Sequence, residues 1–475
     1  MRTMTRCCLC FCLLAGLVPV AAQDAEPKVV RLTLHPQAEP SPTLKYQLLP
    51  KFLDRLPGNA AVDYGKVFAE ENGVVCHPDL WRKIAEWSAM PLGRLRQEDL
   101  QLVNFLRGDI EEGHILSTLK LAARREHCDW QVPTREKSFY TIILSEAQQM
   151  RSFGRLMRLR TRIQVIEREF AGAVETLAVG FTLGRNVVKG PTIIHTLVGA
   201  AIVSQMFAGI EDFIQQPGAP NLYWALTMLP RPLVDGRHGV EAEFDAAFLS
   251  LPMLRNVDRE INDVAYWRRE LLAFWKDFSH LTDPSTRTEI PPEVALTARC
   301  VKGYPMARRA LIDWGLPEHR VEAMPVPQVI LFYTARLYER RRDDLFKAFF
   351  LTNWREASKE LALAEKRLHN PSDGYEEIFP LAKALLPALY GFRSALERSQ
   401  QKVEFLRTIE AIRLHLAAND GELPESLDAM TVVPVPRDPF TEEPFPYQLE
   451  GEQATLAVDN PRGGESIRYV ITVGR

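Results

Sequence analysis

The chemistry open to this chain is narrow, because the local motifs of the common enzyme classes are missing from its 475 residues. No glycine-rich phosphate loop of the G-x-x-x-x-G-K-[ST] or G-x-G-x-x-G type occurs, and no G-x-S-x-G nucleophile elbow. The ten histidines are scattered, and no two lie four residues apart as an H-E-x-x-H zinc site requires. A serine or cysteine nucleophile with remote partners stays open, but nothing nominates those partners. We therefore assign no catalytic, cofactor-binding or metal-binding residue and expect no cofactor.

Pairs of adjacent carboxylates, such as Glu111–Glu112, Asp343–Asp344 and Glu376–Glu377, remain as candidates for acid–base chemistry. Glycoside hydrolysis needs two carboxylates at a set distance across a cleft, commonly one of them with a pKa raised by burial. Adjacent carboxylates on polar segments are instead typical of a solvated surface. We interpret these pairs as surface residues.

A polar and aromatic cluster from Ile214 to Leu226 is the most unusual local pattern. Its two prolines and a glycine predict a rigid turn that leads into a helix, with Asn221 as a good N-cap. Tyr223 and Trp224 adjoin on the first helical turn, so they cannot both face the core equally. An exposed aromatic beside a rigid turn can anchor a partner. Asn221, Tyr223 and Trp224 are our candidates for partner binding, and the alternative is that both rings pack against neighbouring helices.

Charge is nearly balanced, since 58 basic and 61 acidic residues give a formal net charge of −3. This balance offers no basic field for nucleic acid, so no nucleic-acid partner is expected. The basic runs 124–125, 151–162 and 340–342 lie in helical patterns with acidic residues nearby. Such runs are typical of solvated helix faces.

The N-terminus has the pattern of an export signal. Arg2 and Arg6 precede an apolar core from Cys7 to Val18, and compact residues lead to a cleavage position after Ala22. The apolar core is too short to span a bilayer, which takes about 20 residues. We predict that residues 1–22 are a signal peptide and that the mature protein is periplasmic or extracellular.

Helical periodicity dominates residues 43–400, which follow a polar, extended lead-in over residues 23–42. The predicted fold class is mainly α: an irregular bundle or solenoid of helical hairpins, with a sub-boundary near residues 235–255. Strand-like alternation is nearly absent before Val432. At the start of this body, Leu48, Leu49, Phe52 and Leu56 are spaced as one apolar stripe of a helix.

The most regular part of this helical body holds three consecutive helices, expected over residues 138–169, 170–188 and 192–214. Short breaks between them predict antiparallel neighbours. The third is apolar on nearly all sides, which is usual for the central helix of a soluble core. We therefore expect no integral membrane span.

Residues 401–475 predict a separate small α+β module. Phe405, Ile409, Ile412 and Leu416 form an apolar helical stripe, and a proline-punctuated turn follows. Alternation over residues 445–449, 455–458 and 467–473 then predicts a small antiparallel sheet packed on the helix.

Two resemblances accompany these patterns. The segments Pro57–Ala61, Gly190–Ile193 and Gln215–Leu226 are similar to a family of exported planctomycete proteins. This resemblance implies export and a helical architecture, and no activity.

The order of helix, Asp438-Pro439 turn and strands resembles the globular part of type II secretion major pseudopilins. Pseudopilins carry an apolar assembly helix at the mature N-terminus, whereas this module lies at the other end of a large chain. Their acidic loop often holds calcium. The corresponding stretch here, Asp459–Ser466, has two carboxylates and one amide, which are too few for six to eight oxygen ligands.

Together these patterns predict a non-enzymatic scaffold or protein-interaction protein of the cell envelope, with envelope proteins as its partners. The alternative is a hydrolase that acts on envelope polysaccharide or peptide, with a site built from dispersed residues. A cleft with two facing carboxylates would favour the hydrolase, and a core without such a cleft would favour the scaffold.

Overall fold

The structure is a computed structural model that describes residues 28–69, 78–96, 115–132, 145–259, 263–281, 292–370, 374–386, 389–458 and 466–474. The predicted signal peptide and residues 459–465 of the acidic loop lie outside the described residues. The chain divides into two compact units. The split unit draws on Val18–Val132, Ile143–Gly239 and Ser394–Arg475, and the central unit is built mainly from Val240–Arg393.

Most of the described residues lie in helices, so the mainly α fold class is confirmed. In chain order the helices are α1 (Ala60–Ala69), α2 (Pro78–Ala89), α3 (Leu92–Leu95), α4 (Ile115–Ala123), α5 (Ser145–Ile166), α6 (Phe170–Val188), α7 (Ile193–Ile214), α8 (Tyr223–Thr227), α9 (Arg237–Ser250), α10 (Val264–Leu281), α11 (Pro292–Asp313), α12 (Glu318–Glu322), α13 (Val326–Phe346), α14 (Trp354–His369), α15 (Leu381–Leu385) and α16 (Leu389–Ala418).

A small mixed sheet accompanies the C-terminal helix, as the predicted α+β module requires. The strands of the chain are β1 (Lys28–Leu34), β2 (Leu56–Asn59), β3 (Arg125–His127), β4 (Tyr447–Glu450), β5 (Gln453–Val458) and β6 (Ile467–Val473). The four-stranded sheet has the order β1-β6-β5-β4, and β2 pairs with β3 alone. Strands β4, β5 and β6 form the predicted antiparallel meander.

Strand β1 is the unexpected member of this sheet. It pairs in parallel with β6 from Lys28↔Ile467 to Leu34↔Val473. The lead-in is therefore a strand over Lys28–Leu34, and the expectation that strands are nearly absent before Val432 is wrong there. The reason is burial on one face: Leu32 and Leu34 are buried while Arg31 and Thr33 are exposed.

The predicted helix around Leu48–Leu56 is also wrong. A single 3-10 turn over Phe52–Asp54 stands there, followed by β2. Lys51 and Arg55 on either side of this turn have extended backbones, which ends any helical period. None of the three turn residues is buried.

The three long helices α5, α6 and α7 form the core of the split unit. Gly154 on α5 faces Ile202 on α7, and Thr161 on α5 faces Gly209 farther along α7, so these two helices run in the same direction. Helix α6 runs against both, which confirms the predicted antiparallel order. Thr192 is the N-cap of α7, because its hydroxyl accepts a hydrogen bond from the amide of His195 at 3.2 Å.

Glycines let α6 and α7 approach closely. A Cβ at Gly199 would meet the carbonyl oxygen of Gly184 at 2.6 Å, and a Cβ at Gly184 would meet that of Gly199 at 3.0 Å. Side chains at either position would force the two backbones apart, so these glycines set the helix separation.

Helix α7 is the one described helix that is long and apolar enough to cross a membrane. It packs against both α5 and α6, and Ile202, Val203, Met206 and Ile210 are fully buried. This packing fits the prediction of a central core helix.

The central unit is organised around α13, which packs against α10, α11 and α14. Aromatic side chains fill it. Trp314 stacks on Tyr333 with ring centroids 5.6 Å apart, and Phe274 lies 5.0 Å from Phe379. Such aromatic pairs add specific geometry to ordinary apolar burial.

Candidate functional site

The predicted partner-binding residues lie where the turn before α8 meets helix α16. Asn221 is buried, and its side chain donates a hydrogen bond to the Glu410 carbonyl at 2.9 Å. Its oxygen accepts from the Tyr223 amide at 3.0 Å, but the N-cap of α8 is Leu222, so the prediction of Asn221 as the N-cap is wrong by one residue. The structure thus brings this turn together with the C-terminal helix.

The two aromatic residues differ in exposure, as their adjacency on one helical turn predicts. Tyr223 is fully buried, and its hydroxyl donates to the Pro434 carbonyl and accepts from Arg407 at 3.0 Å. Trp224 is half-buried, and its indole N–H donates to the carboxylate of Glu39. Partner binding by Asn221, Tyr223 and Trp224 stays a prediction, and Trp224 has the most accessible side chain of the three.

Helix α16 carries charged residues on its buried face, and each of those described below forms an ion pair with an oppositely charged residue of the same unit. Glu404 pairs with Arg407 one turn later and with Arg231 at 2.9 Å. Arg407 also donates from Nε to the hydroxyl of Thr227 at 2.8 Å. These contacts fasten α8 and its neighbours to α16.

The pair Glu410–Arg413 is the most deeply buried of these, since both side chains are fully inaccessible. Arg413 Nη1 lies 2.9 and 3.1 Å from the two Glu410 carboxylate oxygens. Its remaining nitrogens donate to the carbonyls of Ala219 at 2.6 Å and His35 at 3.2 Å. A buried ion pair is tolerated when further hydrogen bonds satisfy its other polar atoms, and here they do.

Lys402 joins the helix to the sheet. Its ammonium donates to the Glu211 carboxylate and to the Tyr469 hydroxyl at 2.7 Å, and it lies over the rings of Phe405 and Tyr469. Burial alone would lower the pKa of Lys402, but attraction to Glu211 and Tyr469 raises it above its ordinary value. A lysine with a raised pKa stays an ammonium at neutral pH, so Lys402 is unsuited to act as a base or nucleophile.

A second set of arginines lies on one face of α5. Arg151, Arg155, Arg158 and Arg162 follow the spacing 4, 3 and 4, which places them in one row. Arg162 is only 1% exposed, and its Nη1 donates to the Trp87 carbonyl at 2.6 Å. Its Nε forms an ion pair with Asp212 Oδ2 of α7 at 2.9 Å. The interpretation of this run as a solvated helix face is therefore wrong.

The other three members of the row lack such partners. Arg151, Arg155 and Arg158 are half-buried and make no hydrogen bond or ion pair with the described residues. The Nε atoms of Arg151 and Arg158 are buried without an acceptor. Burial and the neighbouring Arg151 lower the pKa of Arg155. Burial also lowers the pKa of Arg158, although Asp212 opposes this shift.

Of the named carboxylate pairs, the structure describes Asp343–Asp344 and Glu376–Glu377, and the interpretation as surface residues is wrong for Glu377, which is half-buried. Glu377 accepts hydrogen bonds from the amide of Ala382 at 2.6 Å and starts α15, and burial raises the pKa of its carboxyl. Asp344 binds Lys347 at 2.9 Å, whereas Asp343 is exposed. Glu111–Glu112 lies outside the described residues.

The sequence also contains a signal for the ion pairs of α16, although the motifs considered above did not include it. Glu404/Arg407 and Glu410/Arg413 are i,i+3 pairs of opposite charge inside an otherwise apolar run. Charges at such positions predict internal ion pairs. The row on α5 is equally visible as a spacing, but its lack of counter-ions depends on which helices surround it.

No family model, curated protein or solved structure matches this chain. The resemblances to exported planctomycete proteins and to major pseudopilins therefore stay predictions.

Proposed function

We propose that the protein is a non-enzymatic scaffold or interaction protein of the cell envelope. One observation carries this proposal: the buried charged groups of α16 are committed to contacts within the fold, while a pair of large apolar side chains stands outside it. Glu404, Glu410 and Lys402 are neutralised by partners of the same unit. Groups held in this way stabilise a structure and are poorly placed for acid–base work.

The outward pair is Phe52 and Leu53, on the 3-10 turn between Lys51 and Arg55. Phe52 is 79% exposed and Leu53 is 93% exposed. Single exposed apolar residues are common, but two large neighbours at the tip of one turn give a small patch suited to a partner. Location in the envelope rests on the export signal predicted over residues 1–22.

The C-terminal module is built into the split unit, so deleting it is a poor test of this proposal. Deletion of residues 403–475 would remove β4, β5, β6 and most of the charged face of α16, and would leave β1 without its partner strand. Such a deletion would disturb the whole split unit. Point substitutions at the exposed turn are therefore the sharper test.

The experiment is a pull-down from envelope extract with the mature chain and the variant Phe52→Ser/Leu53→Ser. The matched control is Val294→Ser/Val301→Ser, which removes two exposed apolar side chains elsewhere (57% and 69% exposed). We expect specific envelope proteins to be enriched by the wild type and the control and lost with the turn variant.

An assay on envelope polysaccharide and peptide decides between the two function classes. Release of new reducing ends or amino groups by the purified wild type would contradict the scaffold proposal and support the hydrolase. Equal enrichment of the same proteins by the turn variant would also count against the role given to Phe52 and Leu53.

A further inference from the structure

Three neighbouring cations on α5 make no ion pair with the described part of the chain, and only Arg158 is attracted by a carboxylate, chiefly that of Asp212. Arg158 follows Arg151 by seven positions, so the row of Arg151, Arg155 and Arg158 extends about 10 Å along the helix. They are half-buried, and the Nε atoms of Arg151 and Arg158 are cut off from solvent without an acceptor. Desolvated guanidinium groups that repel one another are unfavourable unless an anion joins them.

Two other arginines of the split unit show the kind of anion that this row lacks. Arg125 lies 2.6 Å from Asp63, and Arg413 lies 2.9 Å from Glu410. Along the α5 row itself, the carboxylates of α7 reach only the far end, where Asp212 pairs with Arg162 and attracts Arg158. Among the described residues, Arg151 and Arg155 are therefore the members of the row without an ion pair or an attracting carboxylate.

We propose that Arg151, Arg155 and Arg158 bind a phosphate-bearing ligand, with one phosphate group shared between Arg151 and Arg155. These two are i,i+4 neighbours on the helix, so their guanidinium groups can meet at one anion. A guanidinium group matches carboxylate and phosphate equally well in shape. A phosphate monoester, however, carries a charge of about −1.5 to −2 and three acceptor oxygens. One phosphate group can therefore neutralise two arginines, whereas one carboxylate neutralises only one.

This site is distinct from the exposed turn at Phe52 and Leu53 and goes beyond the scaffold proposal. A phosphate could come from a soluble ligand or from a lipid headgroup, and both present the same oxygens to the arginine row. The binding chemistry is therefore common to the two sources, and separate measurements distinguish them.

The test is isothermal titration calorimetry of the full mature chain with inorganic pyrophosphate at fixed ionic strength. We expect the wild type to bind pyrophosphate. In Arg151→Gln/Arg155→Gln the affinity should fall about tenfold or more, because charge-assisted hydrogen bonds are removed. Arg155→Lys keeps the charge without the planar fork and should fall between the two. If the double variant does not fold, the affinity of Arg155→Lys is compared with that of the wild type instead.

The matched control is Arg82→Gln/Arg94→Gln, which removes two exposed arginines of the same unit and should bind as the wild type does. Flotation with vesicles of phosphatidic acid, against vesicles of phosphatidylcholine, tests the lipid source. Binding to either pyrophosphate or phosphatidic acid that depends on Arg151 and Arg155 supports the proposal. Absence of both, an equal loss in the control, or equally tight binding of polyglutamate would overturn it.

Discussion

Helices α16 and α5 both carry arginines on faces turned away from solvent, but they differ in where the neutralising carboxylates lie. For Arg407 and Arg413, the buried arginines of α16, the counter-ion comes from the same helix, because Glu404 and Glu410 precede them by three residues. On α5 the row contains arginines alone, and the neighbouring helix supplies carboxylates only near Arg158 and Arg162.

The direction of the pKa shifts expresses the same difference. Attraction to Glu211 raises the pKa of Lys402 although burial would lower it, whereas burial lowers the pKa of Arg155 and Arg158. A buried cation with its anion in place holds the fold together. A half-buried cation without one weakens the fold slightly and attracts an anion from outside.

The largest expected effect is the loss of the buried pair on α16. Arg413→Ala leaves Glu410 buried and unpaired and takes donors from two carbonyls, so we expect the free energy of unfolding to fall by about 3–5 kcal/mol. Urea denaturation followed by circular dichroism measures it. The double variant Glu410→Leu/Arg413→Met removes both charges and should recover most of the loss. A fall below about 1 kcal/mol in Arg413→Ala would place this pair among ordinary surface pairs.

The next effect concerns Lys402. Lys402→Met keeps the length of the side chain but removes the hydrogen bonds to Glu211 and Tyr469, so we expect a loss of about 1.5–3 kcal/mol at neutral pH. The same denaturation experiment measures it. Lys383→Met, at an exposed lysine of the central unit, is the control and should change stability little. Equal stability of the two variants would contradict the role given to Lys402.

Alkaline pH should narrow the gap between Lys402→Met and the wild type. The pKa of Lys402 is raised in the folded state above its ordinary value of 10.5, so its contribution is fully present below pH 10.5. That contribution is lost as the pH rises through the folded-state pKa. Denaturation midpoints of the two proteins between pH 8 and pH 11.5 should therefore converge only at the upper end. Convergence near neutral pH would mean that Lys402 is not held by an anion.

The smallest effect, and one of opposite sign, is expected on α5. Arg151→Gln/Arg155→Gln removes an i,i+4 pair of like charges, so the free energy of unfolding should stay unchanged or rise by about 0.2–0.5 kcal/mol. Thermal denaturation in a chloride buffer without phosphate measures it. A destabilisation above about 1 kcal/mol would show that these arginines have an internal partner, and the contrast between α5 and α16 would fail.

The sequence predicted much of the fold because most of it depends on neighbours within a few residues. The periodicity placed α6 at 170–188, where it is observed, and placed α7 from residue 192, one residue before its observed start. The alternation in residues 445–473 gave β4, β5 and β6 close to their observed bounds. Each of these patterns is local.

Features that depend on contacts between distant parts of the chain were not predicted from the sequence. The alternation of Leu32 and Leu34 with Arg31 and Thr33 was available as a strand signal, but no local pattern says that this strand pairs with β6, more than 430 residues away. The apolar spacing around Phe52 suggested a helix, and the chain instead turns there and exposes the ring. The candidate residues Asn221 and Tyr223 proved to be held by α16, a contact across about 190 residues.

By itself, then, the sequence determined the mainly α class, the positions of the long helices and the small C-terminal sheet, since side-chain periodicity specifies these locally. It also specified the self-pairing charges of α16, because both members lie on one helix. Only the tertiary structure decided that Arg162 of α5 pairs with Asp212, whereas Arg151 and Arg155 have no anion among the described residues. The charge state of a half-buried side chain depends on every element packed around it, and those elements come from distant parts of the chain.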